Sequence, residues 1–240
     1  MTSGLSCLGM RRLVLFDIDG TILWTAGAGR SAIRAALVAE MGTAGPVDGF
    51  RFDGKTDPQI VRELLTAAGH PQAESDARVA AVCATYLDLL GEALAERGES
   101  VEIFPGVMEL FAQIEQREGA VLGLLTGNIE RGATLKLEAA GIAPARFLVG
   151  AYGSDAAHRP ELPLIAVRRA AALMGWEATG EEVVIVGDTP ADMTCGNDIG
   201  ARAIGVATGH YRAEELLAAG AHAAFESLER TDAVIAAIYE

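Results

Sequence analysis

Five short runs of unbroken apolar character do most to limit what this chain can fold into: LVLFD (13–17), VLGLLT (121–126), FLVGAY (147–152), VVIVGD (183–188) and RAIGVAT (202–208). They are continuously apolar rather than alternating, which is the pattern of strands covered on both faces of a parallel sheet. Helical periodicity fills the intervals. Residues 107–118 precede the second run, 129–140 follow it, 161–176 follow the third and 190–200 follow the fourth. Strand alternating with helix at this rhythm predicts an α/β fold with a doubly wound, Rossmann-like, mostly parallel sheet.

One interval breaks the rhythm. Residues 25–100 read as three helices, near 28–41, 57–68 and 74–97, with apolar residues recurring at three and four as in VAAVCATYLDLLGEAL. Only FRF (50–52) looks strand-like there. The expected organisation is a catalytic core of residues 10–24 and 101–240, with residues 25–100 inserted as a small all-helical cap domain above the end of the first strand. Residues 1–9 are expected to be an extension ahead of Met10. TAGAGRSAI (25–33) supplies the hinge into the insert, and ESVEIFPGV (99–107) the return path. ATGHYRAEEL (207–216) reads as strand, glycine turn and helix.

Composition excludes several classes. A net charge of −14 and a pI near 4.7 argue against a nucleic-acid partner or an anionic membrane surface. No run of 18 apolar residues exists, so no membrane span is expected. Cys7, Cys83 and Cys195 have unrelated spacings that form neither a disulfide framework nor a zinc pattern, and fit reduced thiols in a cytoplasmic protein. Arg11 and Arg12 follow the mildly apolar start, the wrong order for a secretory signal. Among 19 basic residues only Lys55 and Lys136 are lysines.

Open α/β sheets bind ligands at the carboxyl ends of their strands. Asp17 and Asp19 follow the first strand, Thr126 ends the second and Asp188 ends the fourth. Asp17 and Asp19 repel one another unless a cation neutralises them. Oxygens from Asp17, Asp19 and Asp188 are hard ligands suited to Mg²⁺, with positions left for waters and a substrate phosphate. Asp17 could then attack phosphorus as a nucleophile, with Asp19 as the acid and base. A turn-forming Asp-Gly after the strand, with Asp17 as a helix cap, is the plainer account. In LLTGN (124–128), Thr126, Gly127 and Asn128 could hold a phosphoryl oxygen, or Asn128 could simply cap the helix that follows. Thr189 and Pro190 make a good N-cap and N1 pair, leaving Asp188 to face a metal. Asp192 either supports that metal indirectly or only complements the helix dipole.

DIDGT, Thr126 in LLTGN and GDTPAD resemble the first, second and fourth motifs of the haloacid dehalogenase superfamily of phosphohydrolases, with a helical cap placed as in phosphoglycolate-phosphatase-like members. The resemblance implies Asp17 as nucleophile and Asp19 as acid/base. It also implies Mg²⁺ held by Asp17, the main-chain carbonyl of Asp19, and Asp188. Dehalogenases of the superfamily lack an acid at the position matching Asp19, and phosphonate-cleaving members are similar to them there, so Asp19 implies phosphate-ester chemistry. The third motif departs from the pattern: where the superfamily has a lysine, commonly in a KP pair, AAHRPELPLIAV places Arg159 before Pro160. Either Arg159 keeps the charge and grips phosphate in a different geometry, or it lies on the surface and the site lacks this cation. Lys136, in mid-helix, is a further candidate.

Substrate choice in such enzymes lies in the cap. In RFDGKTDPQI (51–60), Lys55, Thr56 and Asp57 could reach the leaving group, and Thr56 or Asp57 could equally cap a helix with Pro58 at N1; both can hold. The expectation is a Mg²⁺-dependent phosphatase acting on a small phosphorylated metabolite through an aspartyl-phosphate, as a monomer or homodimer. A phosphotransferase such as a sugar-phosphate mutase is the alternative, followed by a catalytically weak metal-binding member.

Overall fold

The computed structural model describes residues 11–96 and 100–240; the expected extension at 1–9 and Cys7 lie outside them. Six strands form one parallel sheet in the order β5-β4-β1-β6-β7-β8. They are β1 (Arg12–Phe16), β4 (Ala120–Thr126), β5 (Val149–Tyr152), β6 (Val183–Gly187), β7 (Arg202–Val206) and β8 (Ala223–Phe225). β1 is central, with Leu13 opposite Val121 of β4 on one side and Val183 of β6 on the other.

The apolar runs are unbroken because the pleat serves two cores at once. Val14 and Phe16 join Leu122, Leu124, Val184 and Val186 on one face, while Leu13 and Leu15 join Val121, Leu125, Val183 and Ile185 on the other. The first face is covered by α4 (Val107–Glu115), α5 (Glu130–Ala139) and α9 (Thr231–Tyr239). Phe111 of α4 packs edge-on against Phe16 at 5.0 Å and Phe147 at 5.4 Å. α6 (Leu162–Met174) covers the second face.

The chain leaves the sheet after β1 along β2 (Leu23–Trp24) and returns along β3 (Glu102–Ile103), the two pairing antiparallel. Between them lie α1 (Ala28–Met41), α2 (Asp57–Ala67) and α3 (Asp76–Glu96). These form a helical cap with a cluster of its own, built from Ile33, Leu37, Leu64, Val82 and Leu90. Ile129, at the start of α5, joins that cluster, so α5 faces the sheet on one side and the cap on the other.

Three expectations are corrected. FRF forms no strand; the preceding segment, Val47–Gly49, is a short 3-10 turn. The helix expected over 190–200 stops early: α7 (Pro190–Thr194) gives way at Gly196 to a 3-10 turn, Asn197–Ile199, that ends on left-handed Gly200. β8 and α9 add an edge strand and a packing helix beyond the last expected element, α8 (Ala213–Ala218). Among the described residues no helix is long and apolar enough to cross a membrane.

Candidate active site

β4, β1 and β6 are adjacent and parallel, so their C-terminal ends bring Thr126, Asp17 and Asp188 to one rim. After β1 the chain turns sharply. The N–H groups of Thr21, Ile22 and Leu23 all donate to the Ile18 carbonyl, at 3.3, 2.9 and 3.1 Å. This fold-back presents the Thr21 hydroxyl to Asp188 Oδ1 at 3.0 Å. Gly20 (φ 84°) permits it twice over, through its left-handed backbone and because a Cβ there would lie 2.3 Å from Asp188 Oδ2. Gly209, in the loop after β7, closes the other side, where a Cβ would lie 1.9 Å from the same oxygen. The Asp188 carboxylate is thus wedged between two bare backbones.

Arg159 is not a surface residue. It is 4% exposed, its Nη2 lies 3.2 Å from Asp17 Oδ2, and it also pairs with Asp192 Oδ1. Asp192 Oδ2 accepts from the Thr189 hydroxyl (2.7 Å) and N–H (3.0 Å), which closes a capping box at the start of α7. The capping reading of Thr189 and Asp192 is thus met, and the other Asp192 oxygen holds Arg159. Asp17, Asp188 and Asp192 each bring a carboxylate oxygen within 4.8 Å of the others.

Three buried carboxylates facing one guanidinium leave negative charge uncompensated. Burial raises the Asp17 pKa to about 6; Arg159 opposes the shift, and Asp192 and Asp19 add to it. Asp188 is pushed well above the usual carboxylate range by burial first, then by Asp192 and Asp17. Asp17 Oδ1 is buried with no hydrogen-bond partner. Asp192 has both oxygens engaged, so Asp17 and Asp188 are the carboxylates that fit as direct ligands of a divalent cation.

The Asp19 carboxylate does not join this group. Its Oδ2 accepts from Lys136 Nζ (2.6 Å) and Asn128 Nδ2 (2.8 Å), which turns this oxygen toward α5 rather than toward Asp188. Asn128 ties the network together: Nδ2 also donates to Thr126 Oγ1 at 2.8 Å, and Oδ1 accepts from Lys136 at 2.6 Å. Asn128 therefore does not cap α5. That cap comes from the insert, whose Asp57 Oδ2 accepts from the Ile129 N–H at 2.9 Å.

The loop before α2 sits directly on the core. Asp57 N–H donates to the Gly127 carbonyl at 2.8 Å, and Thr56 Oγ1 to the Ala157 carbonyl at 2.8 Å. Thr56 also caps α2 by accepting from Gln59 N–H at 3.3 Å. A Cβ on Gly127 would lie 2.0 Å from the Lys55 carbonyl, so this glycine is a seat for the cap as well as a wall of the site. Lys55 also lines the space between cap and core, and its Nζ pairs with Glu63 Oε2 at 2.8 Å. Burial also raises the Asp57 pKa to about 6; Lys136 and the Ile129 N–H oppose the shift and Asp19 adds to it.

Between cap and core lies a cavity of about 450 Å³ whose walls include Asp17, Asp19, Thr126, Lys136, Arg159 and Asp188. The sequence offers Lys136 only as a remote candidate, and Asp57 either as a group reaching the leaving group or as a cap of its own helix; its bond to the Ile129 N–H across the cap–core seam was not foreseen. The available signal for Lys136 was its place on the apolar stripe of Ile129 and Ala133, where a lysine needs a buried partner.

A family model described as haloacid dehalogenase-like hydrolase matches residues 14–206. The chain is 32% identical over 216 residues to a protein of Dickeya dadantii (strain 3937) named "Probable phosphatase IndB", covering 88% of this chain and 87% of that one. Among solved structures it is similar to a hydrolase from Pseudomonas syringae, with 20% identity and a TM-score of 0.73 over 96% of this chain and 100% of that one. It is also similar to a β-phosphoglucomutase from Clostridium difficile, with 17% identity and a TM-score of 0.71 over 95% and 97%.

Proposed function

Because the chain belongs to the haloacid dehalogenase-like hydrolases, we propose that it is a Mg²⁺-dependent phosphatase, which cleaves a small phosphorylated metabolite through an aspartyl-phosphate on Asp17. Residues 10–24 and 101–240 serve as its catalytic core and residues 25–100 as its cap, a division supported by their separate apolar clusters. The observation that carries the reading is the Asp17 carboxylate: buried, 3.2 Å from Arg159, and with Oδ1 free of any hydrogen bond. Folding alone does not account for a carboxylate so placed.

Asp17, Asp188 and the main-chain carbonyl of Asp19 are hard oxygen donors that would hold Mg²⁺, offsetting charge that Arg159 alone does not balance. Bound there, the ion would polarise the phosphoryl oxygens and let an anionic carboxylate approach an anionic ester. The chain's own residues do the rest. Asp17 attacks phosphorus as the ester P–O bond breaks, and Asp19 gives a proton to the departing oxygen. Asp19 then takes a proton from water as the water oxygen attacks phosphorus; inorganic phosphate leaves and the Asp17 carboxylate is restored. Thr126 accepts from Asn128 Nδ2 and so keeps its own proton for a phosphoryl oxygen. Arg159, fixed by Asp192, orients the nucleophile.

The test is phosphate release from a panel of small phosphomonoesters, with and without Mg²⁺, comparing the wild type with Asp17→Asn. Release that needs the metal and falls at least about 10³-fold in the variant is expected. Release indifferent to Asp17→Asn refutes the mechanism. Exchange between phosphorylated isomers with no free phosphate would move the assignment to phosphotransfer.

A further inference from the structure

Tyr86 stands in the middle of α3 among the apolar residues of the cap and is 1% exposed, yet its Oη has no hydrogen-bond partner. Buried hydroxyls are almost always satisfied, and Tyr86 is one of the residues that line the cavity between cap and core. The group beside it is Lys136. A Cβ built on Gly29 of α1 would lie 3.4 Å from Lys136 Nζ and 3.9 Å from Tyr86 Oη, so both polar ends converge on the same bare stretch of α1.

The electrostatics of this corner select what can enter. Burial first, then the Asp57 and Asp19 carboxylates, push the Tyr86 pKa well above its usual value and keep the phenol neutral. Lys136 is already shared between Asp19 and Asn128, at 2.6 Å each. Beside Tyr86 an anionic substituent would meet the Asp57 and Asp19 carboxylates and a Lys136 ammonium already shared, whereas a hydroxyl can donate to, or accept from, the phenol. Ile33, Phe52 and Ile60 line the same cavity and suit the carbon skeleton of an alcohol.

Resting on the phosphatase reading of the site, we infer that the leaving group carries an uncharged hydroxyl that Tyr86 recognises by a hydrogen bond. The substrate class is then a phosphomonoester of a neutral polyhydroxy alcohol, not an ester with a second carboxylate or phosphate at that end. Tyr86 is a specificity-determining residue of the cap.

Two matched pairs test this by kcat/KM in Mg²⁺: 2-hydroxyethyl phosphate against phosphoglycolate, and sorbitol 6-phosphate against 6-phosphogluconate. Ethyl phosphate is the reference without a hydroxyl. The hydroxyl member of each pair is expected to lead by about tenfold or more. Tyr86→Phe is expected to lower the hydroxyethyl-to-ethyl ratio by about three- to tenfold, the size of one neutral hydrogen bond. Its Tm is expected not to fall, because the hydroxyl it removes has no partner in the fold. A ratio that Tyr86→Phe leaves unmoved, or a lowered Tm, overturns the inference. So does a preference for the carboxylate member, which would point instead to Arg30, a lining cation held by the Val47 and Phe50 carbonyls at 2.7 and 2.9 Å. No phosphate from any of the five esters overturns the phosphatase reading, and this inference with it.

Discussion

Asp57 links cap to core through a buried carboxylate, and replacing it with asparagine isolates what that charge does. Asparagine keeps an acceptor for the Ile129 N–H and loses only the titration. In the folded chain the Asp57 pKa is raised from 3.8 to about 6. Between those values the folded state holds a proton that the unfolded state has released. The associated stability is fully present below about pH 3.8 and is lost as the pH rises through 6. A rise of that size is worth about 3 kcal/mol over the whole window, of which about 1.4 kcal/mol falls between pH 5 and pH 8. Urea unfolding of wild type and Asp57→Asn across that range, in EDTA so that metal binding does not enter, gives the difference directly. Asp17 and Asp188 titrate in both proteins and cancel. The wild type should gain about 1.4 kcal/mol on the variant in going from pH 8 to pH 5. A flat difference, or one that grows toward high pH, would show that burial of this carboxylate does not set its ionisation.

Arg159→Ala leaves Asp17 and Asp192 without their cation and should cost about 3–5 kcal/mol by urea unfolding, with added Mg²⁺ recovering part of the loss. Stability unchanged in EDTA would rule out the charge balance described for the site. Lys136→Met releases Asp19 and Asn128 together and should reduce kcat by about tenfold or more in steady-state kinetics, with Lys136→Arg recovering part of it. Gly209→Ala puts a methyl group against Asp188 Oδ2 and should weaken Mg²⁺ binding by about 10- to 100-fold in titration calorimetry.

What the sequence makes legible follows from which interactions are local. Asp17, Thr126 and Asp188 could be read because a strand in a parallel sheet delivers its last residue to a known rim, whatever the loops do. The five strands from β5 to β7 share that advantage, being unbroken apolar runs; β8, with AAF and partial burial, offers no such run. Lys136 was harder, since a helix pattern gives the period and not which way its faces point. Only the packing of α5 between sheet and cap turns that lysine toward Asp19. Asp57 was harder still. Its partner is 72 residues away, and Thr56 and Pro58 already explain the stretch as an ordinary helix start. Tyr86 sits on the apolar stripe of α3, and nothing in the pattern separates its ring, which packs, from its hydroxyl, which does not.

The paired strands β2 and β3 carry a consequence of their own. Leu23 lies opposite Ile103 and Trp24 opposite Glu102, so the chain's way out to the cap and its way back are bonded to each other. Trp24 and Glu102 also line the cavity. The ribbon that carries the cap is thus part of the chamber wall. The same ribbon keeps the insert out of the sheet: the chain departs after β1 and returns before β4, while β1 stays in register with β4 and β6.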